Sequence, residues 1–266
     1  MARRVDLIGM PTDVHSSFLR GPAKAPPLIR AALFSAHGNS ASENGFEIGA
    51  EILLNDIGDL DLREGPEDDS LIEAAIARSL AAGAVPISLG GDHSITYPIL
   101  RAIAADHGPV DILHFDAHPD LYDELEGDRR SHASPFARIM EAELAARLVQ
   151  VGIRTLNKHQ RDQAARFGVE IIEMRDFARR PAPQFTRPLY VSIDLDGFDP
   201  AFAPGVSHHE PGGLSVRDVV DMLHALEAPL VGADVVELNP DRDVNGVTAV
   251  LAAKLVRELA ALASRT

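Results

Sequence analysis

Asp116-Ala117-His118-Pro119-Asp120 sets three metal-ligating side chains at alternate positions directly after the apolar run Val110 to Phe115. Alternate residues of an extended chain share one face, so the spacing predicts three side chains converging on one point. Asp194-Leu195-Asp196 repeats the device after Leu189 to Ile193, and Gly90-Gly91-Asp92-His93-Ser94 presents His93 after Val85 to Leu89, its glycines expected to permit a tight turn. A fourth run, Leu230 to Val236, ends at Glu237. Two acidic clusters suggest two divalent cations. One acid at a strand end is usually a turn former or helix cap, and one histidine usually a satisfied polar group. Jointly, four Asp and two His at three strand ends would bury unpaired charge unless a cation neutralised it. The chain has no cysteine, so a thiolate site and a disulfide framework are both excluded.

The elements that must position these groups alternate in type. The runs Val85–Leu89, Val110–Phe115, Leu148–Ile153, Leu189–Ile193 and Leu230–Val236 read as buried strands. Segments of helical period fall between and after them, at Ser94–Ala105, Ser134–Leu144, Leu156–Phe167, Ser215–Leu226 and Val247–Leu262. This rhythm predicts an α/β fold, a three-layer α/β/α arrangement with a mostly parallel central sheet, in one domain spanning 1–266. The stretches 39–49, 63–69 and 179–187 read as surface loops. In open parallel sheets ligands bind beyond the carboxyl ends of the strands, which would gather all four clusters into one crevice.

Lys and Arg number 25 against 40 Asp and Glu, a formal charge of −15. Phosphates would be repelled, so nucleic acid and an anionic membrane are poor partners, whereas a small cation would be attracted. No stretch is apolar for long enough to span a membrane, and Met1 to Gly9 lacks the long apolar region of a signal peptide. The expectation is a cytoplasmic protein.

The quoted motifs resemble those of the ureohydrolase family of arginases and agmatinases: Gly-Gly-Asp-His-Ser at 90–94, Asp-Ala-His-x-Asp at 116–120 and Asp-x-Asp at 194–196. Ser131-His132-Ala133-Ser134, the stretch from Asp199 to His208, Glu210 to Ser215 and Gly232 to Glu237 resemble the plant-type arginase branch. Gly205-Val206-Ser207-His208-His209 stands where animal arginases and many agmatinases carry Gly-Thr-Gly-Thr-Pro, so substrate preference does not transfer from those branches. The resemblance implies the arginase-like fold and two Mn²⁺ per subunit, one held by His93, Asp116, Asp120 and Asp194, the other by Asp116, His118, Asp194 and Asp196. It also implies a homotrimer or homohexamer.

A guanidinium is cationic and resonance-stabilised, so its carbon is a poor electrophile and needs a strong nucleophile held close. A metal pair makes hydroxide available near neutral pH. An oxygen-dominated ligand set with one His per ion favours Mn²⁺ over structural zinc and leaves Fe²⁺, Co²⁺ and Ni²⁺ as chemical alternatives. Asp120 can take the proton from the hydroxide as the tetrahedral intermediate forms; by resemblance Glu237 pairs with the substrate guanidinium and His132, on the loop after the metal motif, shuttles a proton to the leaving amine. His114 and Asp92 adjoin the ligands and are candidates to orient them. The substrate is then a small guanidino cation: L-arginine first, agmatine or another guanidino compound as the rival. A metal-stabilised binding protein without catalysis would have lost a ligand, His132 or Glu237, and all are present. A dinuclear phosphoesterase would carry Arg or Lys beside the metals, where these motifs are acidic.

Overall fold

The structure, a computed structural model, describes residues 4–265; Met1, Ala2 and Arg3, on which the reading of the chain start partly rests, lie outside the described residues. One sheet holds β1 (Arg4–Met10), β2 (Leu53–Asp59), β3 (Val85–Gly90), β4 (Val110–Phe115), β5 (Ala145–Ile153), β6 (Glu170–Glu173), β7 (Leu189–Asp194) and β8 (Leu230–Val236). Its order is β2-β1-β3-β8-β7-β4-β5-β6. Every neighbouring pair is parallel, so the expected mostly parallel sheet is wholly so.

Every residue of β3, β4, β7 and β8 is buried, as strands covered on both faces require. The edge strand β2, Leu-Leu-Asn-Asp-Ile-Gly-Asp, is mostly exposed or half-buried and carries the polar residues that an edge tolerates. Helices α1 (Ala25–Leu33), α6 (Val216–His224) and α7 (Val247–Ser264) cover one face through Ile29, Leu223 and Leu259. Helices α2 (Asp68–Ala81), α3 (Thr96–His107), α4 (Pro135–Glu141) and α5 (Lys158–Phe167) cover the other through Ile76, Ile99, Ile139 and Ala164.

Caps trim the expected helices. Asn157 accepts from the Gln160 N–H at 2.9 Å, which starts α5 at Lys158 rather than Leu156. Ser215 and Asp218 form a capping box that starts α6. A 3-10 turn at His93–Ile95 precedes α3. The loop expected at 63–69 ends early, because Asp68 and Asp69 open α2 with favourable charge for its N-terminus.

Candidate metal centre

The four loops that carry the candidate site residues leave β3, β8, β7 and β4, which are consecutive in the sheet, so their carboxyl ends share one crevice. Strand alternation does not aim the side chains, contrary to the expectation from spacing. Residues 116–120 have left the sheet, Asp120 in the left-handed region at φ 49°. Residues Leu195–Gly197 form a 3-10 turn. Each motif bends through its first carboxylate: Asp116 Oδ1 accepts from His118 N at 2.6 Å, Asp194 Oδ1 from Asp196 N at 2.8 Å, and Asp92 Oδ1 from Ser94 N at 3.0 Å. Gly91 serves close approach rather than a left-handed turn, since a Cβ there would lie 1.8 Å from the Thr12 carbonyl oxygen. A Cβ on Gly197 would lie 2.8 Å from Asp116 N, so a glycine lets the two acidic turns press together.

His93, Asp116, Asp120 and Asp194 bring one ligand atom each within 4.8 Å of one another, and so do Asp116, His118 and Asp196. Nδ1 of His93 lies 3.0 Å from Asp120, 3.2 Å from Asp194 and 3.4 Å from Asp116. Nδ1 of His118 lies 3.1 Å from Asp196 and 3.4 Å from Asp116. His114 Nε2 is 2.8 Å from Asp116 Oδ2, and its Nδ1 faces the Gln150 amide at 3.1 Å, so His114 fixes Asp116 as well as packing in the core. Asp92 instead holds the backbone of His15, at 3.0 Å from its N–H, and of Ser94.

These groups suit a hard or borderline dication. His93 Nδ1 is buried and has no hydrogen-bond partner, although three carboxylates surround it; a cation would use its lone pair. Burial, together with the charges of Asp196 and Asp116, pushes Asp194 well above the usual carboxylate range, and burial with the Asp116 charge pushes Asp120 up to about 7. A divalent ion among them relieves that repulsion.

Glu237, at φ 66°, lies at the same crevice and accepts through Oε1 from His93 N and from His132 Nδ1, each at 2.9 Å. Burial opposes charge on His132, but the Glu237 carboxylate outweighs it and holds the ring at about 9. Burial likewise opposes charge on Glu237, which the His132 ring and the His93 N–H keep below its ordinary value. A cleft of about 210 Å³ opens over these groups, lined by Asp120, Asp194, Asp196, His118, His132 and Glu237. Ser17, Thr155, Gln160 and His208 line it too. Of these only His208 lies in a motif stretch singled out from sequence; Gln160 falls in the expected helix Leu156–Phe167, which carries no site role from sequence. Ser17 Oγ, 2.8 Å from His132 Nε2, comes from a loop 115 residues away, and no spacing rule could have found it.

The arginase-family model matches residues 3–261. The mitochondrial arginase 1 of Arabidopsis thaliana is 53% identical over 277 residues, 97% of this chain and 81% of that one. An arginase from Medicago truncatula of known structure aligns at TM-score 0.93 and 45% identity, over 98% of this chain and 88% of the other. Proclavaminate amidino hydrolase from Streptomyces clavuligerus aligns at TM-score 0.90 and 32% identity, over 99% and 93%. The plant relatives overturn the cytoplasmic expectation, which rested on an absent signal: they are mitochondrial or chloroplastic proteins, pointing away from the cytoplasm. With about half its residues shared along nearly its whole length, and the same fold, this chain belongs to the arginase family and is a ureohydrolase.

Proposed function

We propose that this protein hydrolyses L-arginine to L-ornithine and urea with two Mn²⁺ per subunit. The arginase names of relatives about half identical to it support the substrate. One observation carries the two-ion reading: Asp116 presents Oδ2 to His93 Nδ1 and Oδ1 to His118 Nδ1, both at 3.4 Å, as a carboxylate bridging two ions would. His93, Asp116, Asp120 and Asp194 would hold one ion, and Asp116, His118, Asp194 and Asp196 the other. Their oxygen-rich donor set, with one imidazole per ion, suits Mn²⁺. The single sheet supports reading 1–266 as one domain.

When bound, the metal pair supplies Lewis acidity that makes a water-derived nucleophile available near neutral pH. The chain's own groups do the rest. Glu237 spends Oε1 on His93 and His132, which leaves Oε2 to accept N–H from the guanidinium and turn its carbon toward the metals. Asp120, at the edge of the proposed metal site and lining the cleft, accepts the proton that the attacking oxygen loses. His132, protonated beside Glu237, gives a proton to the departing nitrogen as the C–N bond breaks, so that urea and a neutral amine separate.

Urea release from Mn²⁺-loaded protein, measured separately with L-arginine, agmatine and shorter guanidino acids, tests this. Turnover of agmatine alone would keep the metal site and replace the substrate. A homotrimer or homohexamer is part of the proposal. The exposed Val244, Val247 and Val250 around the start of α7 are consistent with a contact surface, and light scattering counts the subunits.

A further inference from the structure

Gln160 stands in the first turn of α5, is 2% exposed and lines the same cleft as the metal cluster. Its backbone N–H is taken by Asn157, but its side-chain amide meets no hydrogen-bond partner among the described residues. The rest of the residue is buried and the amide is open to the cleft, so it is held ready to bond to whatever polar group fills that space.

The surroundings select that ligand's charge. Asp120, Asp194, Asp196, Glu210 and Glu237 all line the cleft, so a substrate carboxylate would be repelled by most of the wall. The start of α5 is the exception. Thr155 and Gln160, on either side of its first residues, both line the cleft, which brings the positive end of this ten-residue helix to the wall. Tyr122 lines the cleft beside them, and its oxygen already accepts from Asn157 Nδ2 at 2.6 Å, which leaves the phenolic hydrogen free to donate.

Resting on the arginase reading above, we propose that Gln160 is a specificity-determining residue that donates from its amide to the α-carboxylate of the substrate, with Tyr122 as a second donor. Gln160 thereby separates arginine from its decarboxylated analogue. Such a site disfavours a ligand without the carboxylate, because a tail of that kind covers the donor without pairing it.

Gln160→Leu keeps the size of the side chain and removes the donor; Gln160→Glu replaces it with a like charge. Each variant is compared with the unsubstituted protein on L-arginine, L-argininamide and agmatine, and with L-ornithine and putrescine as competing ligands. Gln160→Leu should lower kcat/KM for L-arginine about 10- to 100-fold, mostly through KM, as loss of a hydrogen bond to a charged group predicts. Both analogues lacking the carboxylate should change by less than about threefold, within the span of weak contacts. Ornithine inhibition should weaken by the same factor as the arginine loss and putrescine inhibition should hold. Gln160→Glu should lower arginine turnover further. Equal losses on all three substrates, or no loss on arginine, would overturn the assignment, and a loss shared by arginine and argininamide alone would transfer the contact to the α-amino group. If the unsubstituted protein fails to turn over arginine, the fault lies in the arginase reading itself, and it shows before any variant is made.

Discussion

The hydroxyl of Ser192 lies 2.9 Å from Nε2 of His93. The same oxygen donates to Asp234 Oδ1 at 2.6 Å, and Asp234 also accepts from Tyr190 and Thr96, each at 2.7 Å. A serine has one hydrogen to give, and Asp234 takes it, so Ser192 can only accept from His93 Nε2. The tautomer follows: Nε2 carries the hydrogen, and the lone pair of Nδ1 faces Asp116, Asp120 and Asp194. Ser192→Ala should weaken metal binding by about 10- to 100-fold, the usual cost of losing such an orienting contact, as read by chelator competition. An unchanged affinity would show that packing against Phe136 orients the ring by itself.

Glu237 and His132 should separate binding of metal from turnover. Both are buried and bonded to each other, and neither belongs to the proposed ligand sets. His132→Asn should lower kcat by about 100-fold or more while metal content stays at the unsubstituted level, because general acid catalysis supplies a factor of that order. Glu237→Gln should raise KM as well as lower kcat, since it removes the charge that faces the guanidinium. Metal analysis beside steady-state urea assays decides between these roles and a structural one.

Metal removal should expose a pH dependence with a definite sign. Burial and the Asp116 charge raise Asp120 from 3.8 to about 7 in the folded chain, and Asp194 is raised in the same sense. Their contribution to the stability of chelator-treated protein is complete below pH 3.8 and is lost as pH climbs through about 7. A bound dication removes the penalty on the ionised form. The gap in Tm between Mn²⁺-loaded and chelator-treated protein should therefore widen from pH 5.5 to pH 8, a window set by these shifts. A constant gap across that range would show that the carboxylates ionise without the metal.

The strands that carry the site are legible in sequence because burial on both faces leaves near-continuous apolar runs, as at Val85–Gly90 and Leu230–Val236. The edge strand Leu53–Asp59 leaves no such run, because one of its sides meets solvent. That these acids and histidines would gather at one crevice was legible too, but not how they are aimed: spacing in two implied alternation along a strand, whereas each leading Asp folds its motif into a turn around the backbone N–H two residues on. Ser17 and Gln160 escaped because nothing in their local sequence marks them for the cleft; Ser17 reaches it from a loop and Gln160 from the first turn of α5, and where both stand depends on the finished sheet.

Arg154 ties that path together. Its guanidinium donates to the carbonyls of Gly152, Asp196, Gly197, Phe198 and Glu210, joining the end of β5 to the Asp196 turn and to the loop at the cleft mouth. Lysine cannot reproduce that fork from a single ammonium. Arg154→Lys should therefore cost about 2–3 kcal/mol, the scale of losing charge-assisted hydrogen bonds to buried carbonyls. It should also loosen one ion more than the other, since Asp196 belongs only to the proposed set with His118. Calorimetric titration of Arg154→Lys with Mn²⁺ should resolve one event of near-normal affinity and one weakened event, and equal weakening of both would place the effect of Arg154 on the sheet rather than on the Asp196 turn.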